Sequence, residues 1–582
     1  MTTVQPGRRS SQGRAVEERA VAWLAARRAL IDPGSAGQDG VLFVRKALIE
    51  TAFLVGLRAR LVPEPLEDDY AALLDQVRDI AERPSYRELI ARDETALLLY
   101  AGTYAALRLC GHDSPEFLRI VRQAASGGYA TAFERVPYRQ LDLLHTLLLC
   151  GIEDEHGRPS MDDVLPFSLL CSRPNVIKLS DRDVYAITHT VFYVTDFGLR
   201  EPLWPPGFQP GEAVELVEAL LTVSQARENA DLVGELLCCL LCFGIRVSEP
   251  ADRARQFLEA VQEPTGRVNG PSGILPPAFA GKDDQYRAWA EGYHTTIVAA
   301  LAGLLDRSPR TLVAQRPPIP VRADAEVTEP LRVAVVWLTD HAVRLPVRTG
   351  LPAAAAAACG AAALGEPDLA RPALRHFARL LAGAEECVWQ DHGMEIAGEF
   401  ARGLRATGIS CPSLERFLRA TADVVRTLDS VPPEAVGNLH RLAALGLLDA
   451  RHAADLTADA ARESAADPAC AVPALMDAVK TYHLGRVAET LREMSGAGWA
   501  DHRIVRDTTR FLLAQQHADG AFGYPACDDP GERAQARLSW TRSIVTALAS
   551  VRDPVRTTGD HRAPPAPTAA PASANSGAQK GT

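Results

Sequence analysis

Through nearly the whole chain, apolar residues recur every three or four positions, with Ala, Leu and Arg dominating the steps. That period matches the 3.6-residue turn of an α-helix, and these residues are strong helix formers. The alternating Val-, Ile- and Tyr-rich runs of half-buried strands are nearly absent. A chain written this way buries its apolar surface by packing helix on helix, so the expected class is all-α. Its 582 residues are about four typical domains, which predicts more than one folding unit.

Breaks in the pattern set the expected boundaries. Residues 1–14 lack the periodicity and read as disordered. From 553 to 582 the chain turns Pro-, Ala-, Ser- and Gly-rich (ending APPAPTAAPASANSGAQKGT), which builds no core and reads as a solvated tail. Prolines between 306 and 328 mark a linker. The first domain is then expected over 15–305 and the second over 329–552.

The two halves resemble each other. Val136-Pro137 followed by Leu144-His145 matches Val431-Pro432 followed by Leu439-His440, at a constant spacing of 295 residues. Leu107-Arg108 matches Leu404-Arg405, and Asp183 and His189 match Asp477 and His483. Downstream, Phe257-Leu258, Gln262 and Gly266 match Phe511-Leu512, Gln516 and Gly520, where the spacing has fallen to 254. The difference is about one helical hairpin. The first half holds about twelve helices, or six αα-hairpins. Six hairpins can close into a ring of inner and outer helices, an α/α toroid; an open solenoid is the alternative. The expected architecture is two tandem α/α-toroid halves, the second shorter by one hairpin.

Charge and composition exclude several functions. Net charge is −11, with 62 Lys and Arg against 73 Asp and Glu, whereas a nucleic-acid binder shows a basic surplus. No apolar run reaches the roughly 18–20 residues of a membrane span. The N-terminal MTTVQPGRRSSQGR lacks the apolar core of a signal peptide. Eleven Cys, an odd number spread over a long chain, point to reduced thiols and a cytoplasmic setting.

Helix parity picks out the candidate site. If helices alternate between outer and inner positions, the even-numbered ones share one environment. His145 falls on the sixth helix, His189 on the eighth, Glu235 on the tenth and His294 on the twelfth. Each lies about seven to ten residues from its helix start, so a rise of about 1.5 Å per residue puts all four at similar depth. Three imidazoles and a carboxylate facing one cavity would suit Zn²⁺ or Fe²⁺. The same histidines, His145, His189 and His294, would serve as catalytic proton carriers without a metal. The competing reading leaves each His bonded to one neighbour at a helix interface.

The segment Asp183–Gly198 supplies candidate substrate-binding residues. Tyr185, His189 and Phe192 fall at i, i+4 and i+7 and share a helix face; Tyr193 and Asp196 follow. Aromatic walls of this kind hold flat apolar ligands or steady a cation. Plain core packing, with Asp196 near the helix end, is the alternative. The acidic pairs Asp162-Asp163, Asp283-Asp284 and Asp528-Asp529 are weaker signals; Asp283-Asp284 directly precede the helix of His294 and read as a helix cap rather than a metal site. Cys238, Cys239 and Cys242 lie in the apolar LLCCLLCFG and read as core thiols. Phosphate loops, G-x-S-x-G elbows and H-E-x-x-H motifs are absent. In the second half His440 and His483 are kept, but Thr541 aligns with His294 and the helix of Glu235 is missing. Any chemistry is therefore expected in the first half.

The stretch Phe511–Tyr524 (FLLAQQHADGAFGY), followed by a helix with Trp540, resembles a repeat of the terpenoid cyclase and protein prenyltransferase superfamily. Phe257–Gly266 followed by Tyr293-His294 is a degraded counterpart. Two tandem α-barrels also resemble bacterial class II diterpene cyclases. The resemblance covers about 40 residues per half and implies the toroid fold. The D-x-D-D motif of those cyclases is absent, the nearest string being Glu67-Asp68-Asp69, and the zinc set of the prenyltransferases is not recognisable. Two functions remain. One is an enzyme of the cyclase or lyase kind acting on an apolar or prenyl-type small molecule in specialised metabolism. The other is a non-catalytic helical-repeat scaffold that holds a peptide or protein partner.

Overall fold

The computed structural model describes residues 6–552 apart from 36–40, 93–96, 127–133, 153–158, 272–280, 309–323, 386, 428–435, 450, 454–455 and 457–467. The chain is all-α: among the described residues, helices are joined by turns and no strand forms. Most of the 306–328 linker and the whole 553–582 tail lie outside the described residues. The segment expected to be disordered over 1–14 is helical from Pro6 onward.

Contacts divide the chain into two compact units. The first comprises Met1–Ala323, Asp467–Met494 and Trp499–Ala514, and the second holds Asp324–Ala466, Ser495–Gly498 and Gln515–Thr582. The break at 323/324 falls in the proline-marked stretch. The domain expected over 329–552 is split, because residues 467–494 and 499–514 group with the first half.

Apart from two four-residue helices, Pro84–Arg87 and Leu89–Arg92, twelve of the described α-helices build the ring of the first unit. They are α1 (Pro6–Ala25), α2 (Val41–Leu61), α3 (Asp68–Ala81), α4 (Leu97–Leu109), α5 (Pro115–Ser126) and α6 (Pro137–Leu149). Then follow the one-turn α7 (Met161–Val164), α8 (Asp181–Val194), α9 (Pro210–Ala226), α10 (Ala230–Cys242), α11 (Glu249–Val261) and α12 (Asp284–Arg307). The even-numbered helices meet in sequence: α2 packs on α4, α4 on α6, α6 on α8, α8 on α10 and α10 on α12, and α12 returns to α2. The odd helices flank this cycle; α1 packs on α12, α3 and α11, and α9 on α10 and α11. The α1–α12 seam is close because it is built on glycine. A Cβ placed on Gly303 would meet the Gly13 carbonyl oxygen at 2.4 Å. Arg307 clamps the same seam, donating to both carboxylate oxygens of buried Glu17 at 2.7 and 2.8 Å.

The later segment of this unit packs on its α8–α9 side. Helices Val472–Lys480 and Arg503–Leu513 both touch α9 and the turn Val176–Lys178. Asp507 anchors the contact: its buried carboxylate accepts the Val176 N–H at 2.9 Å, and its carbonyl accepts the Asn175 amide at 2.8 Å.

In the second unit the Ala-rich helix Val347–Leu364 packs on Asp324–Ala342, Cys387–Thr407 and Pro530–Arg552. Its 18-residue window has a mean hydropathy of 1.3, long and apolar enough to cross a membrane, contrary to the sequence expectation. Because 72% of that window is buried inside the protein, it serves as a core helix.

The matched segments make matched hydrogen bonds. Gln262 donates to the carbonyls of Val16 and Gly266, and Gln516 to those of Pro330 and Gly520. Gly266 and Gly520 share a left-handed φ of 95° and 99°. Arg108 donates to the Leu149 carbonyl, and Arg405 to that of Leu445. Two details of the sequence alignment change. The Val268 N–H bonds Thr296 and the Phe522 N–H bonds Thr541, each at 2.9 Å, so Thr541 is the counterpart of Thr296 and Ser539 that of His294. His189 sits within α8, whereas His483 lies in a turn between two helices, so that pair is not equivalent.

Candidate functional site

All six ring helices line one cavity of about 1240 Å³. Its lining is mixed in chemistry. Phe43, Ile49 and Phe53 from α2 and Leu98 and Leu99 from α4 supply apolar surface, but Lys46 and Glu50 interleave with them on α2. Charged and hydroxyl groups from α6, α8, α10 and α12 line the rest. Local sequence sets these helices. The Ser180 side chain and Asp183 form a capping box at the start of α8, Asn229 caps α10, and Asp283 caps α12 by accepting the Tyr286 N–H at 2.7 Å. Asp283 thus has the capping role expected from sequence. Asp163 likewise completes a capping box with Ser160, and Asp529 accepts the Glu532 N–H.

The polar corner is built on α10. Asp231 and Glu235 stand one turn apart in a helix that is otherwise buried and mainly apolar, and are themselves only 2% and 3% exposed. Tyr185 donates to Asp231 Oδ2 at 2.5 Å and Thr295 to Oδ1 at 2.9 Å. Thr188 donates to Glu235 Oε2 at 2.5 Å. From α12, His294 donates through Nδ1–H to Glu50 Oε2 at 2.9 Å. Its Nε2 faces Asp231 Oδ1 and Glu235 Oε1, each at 3.6 Å. Lys46, one turn before Glu50, stands 3.4 Å from that carboxylate.

The charges in this corner act on each other. Burial alone would raise the Glu50 carboxyl, but the charges of His294 and Lys46 outweigh it and hold it at about 2. Burial likewise opposes charge on His294, and the Glu50 and Asp231 carboxylates overcome it, raising that imidazole well above 6.5. The Tyr185 phenol is pushed up by burial and by Asp231, so it stays a donor.

The structure brings together part of the expected residue set. Glu235 and His294 meet at the corner. His189 lines the same cavity, 3.7 Å from Glu235 through Nδ1, and its Nδ1–H donates to the Tyr185 carbonyl at 2.8 Å. Tyr185 and Tyr193 line the cavity as expected of substrate-binding groups. His145, Phe192 and Asp196 do not. His145 is fully buried between the rings of Tyr193 and Phe197, and its Nε2–H donates to Asp196 at 2.9 Å. Asp196 is in turn held by Arg60 at 2.7 and 2.5 Å. Phe192 stacks on Phe197 with ring centres 5.3 Å apart. These three form a closed ion-pair and aromatic layer at the C-terminal end of α8. They make structural contacts outside the cavity lining, contrary to the catalytic, metal and substrate-binding roles expected from sequence. Cys238, Cys239 and Cys242 are buried core thiols.

Sequence reasoning missed Asp231, Glu50 and Lys46. The signal was present, because Asp231/Glu235 and Lys46/Glu50 are both i, i+4 pairs within strongly apolar helices.

Comparison with known proteins places only the ring. Residues 17–304 match a family model described as a domain of unknown function, DUF6895. That stretch runs from α1 to α12 and contains every residue of the corner. No curated protein and no solved structure matches the chain.

Proposed function

We propose that the first unit is an enzyme whose central cavity takes an amphipathic small molecule, with the apolar or prenyl-type class as its substrate. The observation that carries this reading is one large cavity lined by both apolar and charged side chains. An apolar chain would lie against Phe43, Phe53 and Leu99, while its polar end reaches Asp231, Glu235 and His294. Ligand pockets are commonly about 300–1,000 Å³, so this one has room for a large ligand. The closed cycle of even-numbered helices is the arrangement that a resemblance to the terpenoid cyclase toroids implies, and it supports the substrate class. The chemistry would differ, since the carboxylates here come from α10 and α2, with an imidazole from α12, rather than from a D-x-D-D string.

Native mass spectrometry with prenyl alcohols and diphosphates of increasing chain length tests the reading. Binding should strengthen with chain length, and Leu99→Trp, which fills the apolar part, should weaken it. Absence of binding across the series, or binding that Leu99→Trp leaves unchanged, refutes it.

A further inference from the structure

The corner has a geometry that its protein partners leave incomplete. His294 uses Nδ1–H on Glu50, which directs Nε2 toward two carboxylate oxygens. At 3.6 Å, neither oxygen is within hydrogen-bond range of Nε2. The three donor atoms, one from each of Asp231, Glu235 and His294, lie within 4.8 Å of one another. Both carboxylates are buried, and their hydrogen bonds come from the uncharged hydroxyls of Tyr185, Thr295 and Thr188. Two adjacent buried carboxylates are costly; without metal the nearby His294 imidazolium offsets part of that cost, and a bound divalent cation would displace its Nε2 proton and offset more.

We propose that Asp231, Glu235 and His294 bind one Zn²⁺, with the fourth coordination position open to the cavity. The spacing favours this ion. In a tetrahedron the ligand–ligand distance is about 1.63 times the bond length, so 3.6 Å corresponds to bonds of about 2.2 Å, at the long end for zinc with N and O ligands. Octahedral Mg²⁺, with bonds of about 2.1 Å, would need neighbouring ligands at about 3.0 Å. Glu50 supplies the carboxylate behind the imidazole that orients a metal-binding histidine and makes it a better ligand. Tyr185, Thr188 and Thr295 fix the two carboxylates in the same way. At the open position Zn²⁺ would polarise an oxygen of the substrate or of a water. Of the four metal ligands expected from sequence, Glu235 and His294 remain; Asp231 replaces His145, and His189 borders the site.

The inference deepens the ligand-cavity reading, yet the two fail separately. Zinc content without capture of prenyl compounds removes the substrate class alone, and capture without zinc removes the metal alone. The full-length chain is loaded with Zn²⁺, desalted and assayed by elemental mass spectrometry, with affinity read by competition against a chromophoric chelator. About one tightly held Zn²⁺ per chain is expected. Asp231→Asn and His294→Gln should abolish it, and Glu50→Gln should weaken it about 10–100-fold. Zinc-edge X-ray absorption on the wild-type chain needs no folded variant, and should show only N and O neighbours, with imidazole scattering. Sulfur at about 2.3 Å would assign the ion to cysteines and overturn the site. Failure to retain zinc, or retention by folded Asp231→Asn and His294→Gln chains, also overturns it.

Discussion

Replacing Asp196 with Asn tests whether the layer beneath the cavity is held by charge. Asp196 is 6% exposed and accepts bonds from Arg60 at 2.7 and 2.5 Å and from His145 at 2.9 Å. Each hydrogen bond to a charged group contributes about 1.5–3 kcal/mol. Asn keeps an acceptor for His145, and Arg60, with 27% of its side chain exposed, can turn toward water. The expected loss is therefore about 3 kcal/mol, the lower end for breaking a buried pair. Asn suits the test because residue 196 has a φ of 48°, a left-handed conformation that Asn tolerates. Asp196→Ala should lose about 1 kcal/mol more through backbone strain. Urea unfolding followed by far-UV circular dichroism gives the difference. Its pH dependence has a defined sign. Burial raises the Asp196 carboxyl, but hydrogen bonds and charge from His145 and Arg60 outweigh this and hold it below its ordinary 3.8. The stabilisation is complete above that value and is lost as pH falls through the lower, folded-state value. The gap between wild type and Asp196→Asn should therefore close below about pH 4. A loss under about 1 kcal/mol at pH 7, or a gap that persists in acid, would refute the reasoning.

Three further outcomes follow from other parts of the molecule. A Cβ at Gly266 would lie 2.0 Å from the Arg19 carbonyl oxygen at a φ of 95°, so Gly266→Ala should destabilise by at least about 2 kcal/mol in urea. Burial and Arg506 lower the His502 imidazole to about 4, and its Nδ1 accepts the Ile504 N–H only when neutral. Stability should therefore fall by up to about 3 kcal/mol as pH drops from 6.5 toward 4, and His502→Gln should flatten that slope. Burial pushes the Cys242 thiol up to about 12 and Cys238 and Cys239 well above their ordinary value, so mass-mapped alkylation of the native chain should mark Cys387 and Cys470 and spare these three.

Which parts were legible in the sequence has a geometric explanation. Counting helices identified the six that form the inner cycle, because hairpin alternation is a one-dimensional property. Depth along each helix was also readable, which is why Glu235 and His294 meet. What fills the ring axis at a given depth was not readable. His145 lies under Tyr193 because Asp196 and Phe197 at the end of α8 occupy that level, an arrangement set by left-handed turns at 196 and 197. Asp231 was overlooked for the opposite reason: it is the second residue of α10, where an acidic side chain is common, yet Asn229 does the capping and Asp231 lines the cavity. The split of 329–552 depended on Asp507, whose carboxylate bonds a backbone N–H far away in sequence.

The glycine seam between α1 and α12 gives the first unit a different way of coming apart from an open solenoid. A linear array of hairpins frays from its terminal repeats, each held on one side only. Here every inner helix has two neighbours, so no hairpin can leave without two interfaces opening together. The middle of α1 also lies beside the end of α12, as the Arg307–Glu17 clamp shows. The ring is thus cyclic in space though linear in sequence. Splicing those two points and cutting a surface loop elsewhere should regenerate the same cavity from a rearranged gene.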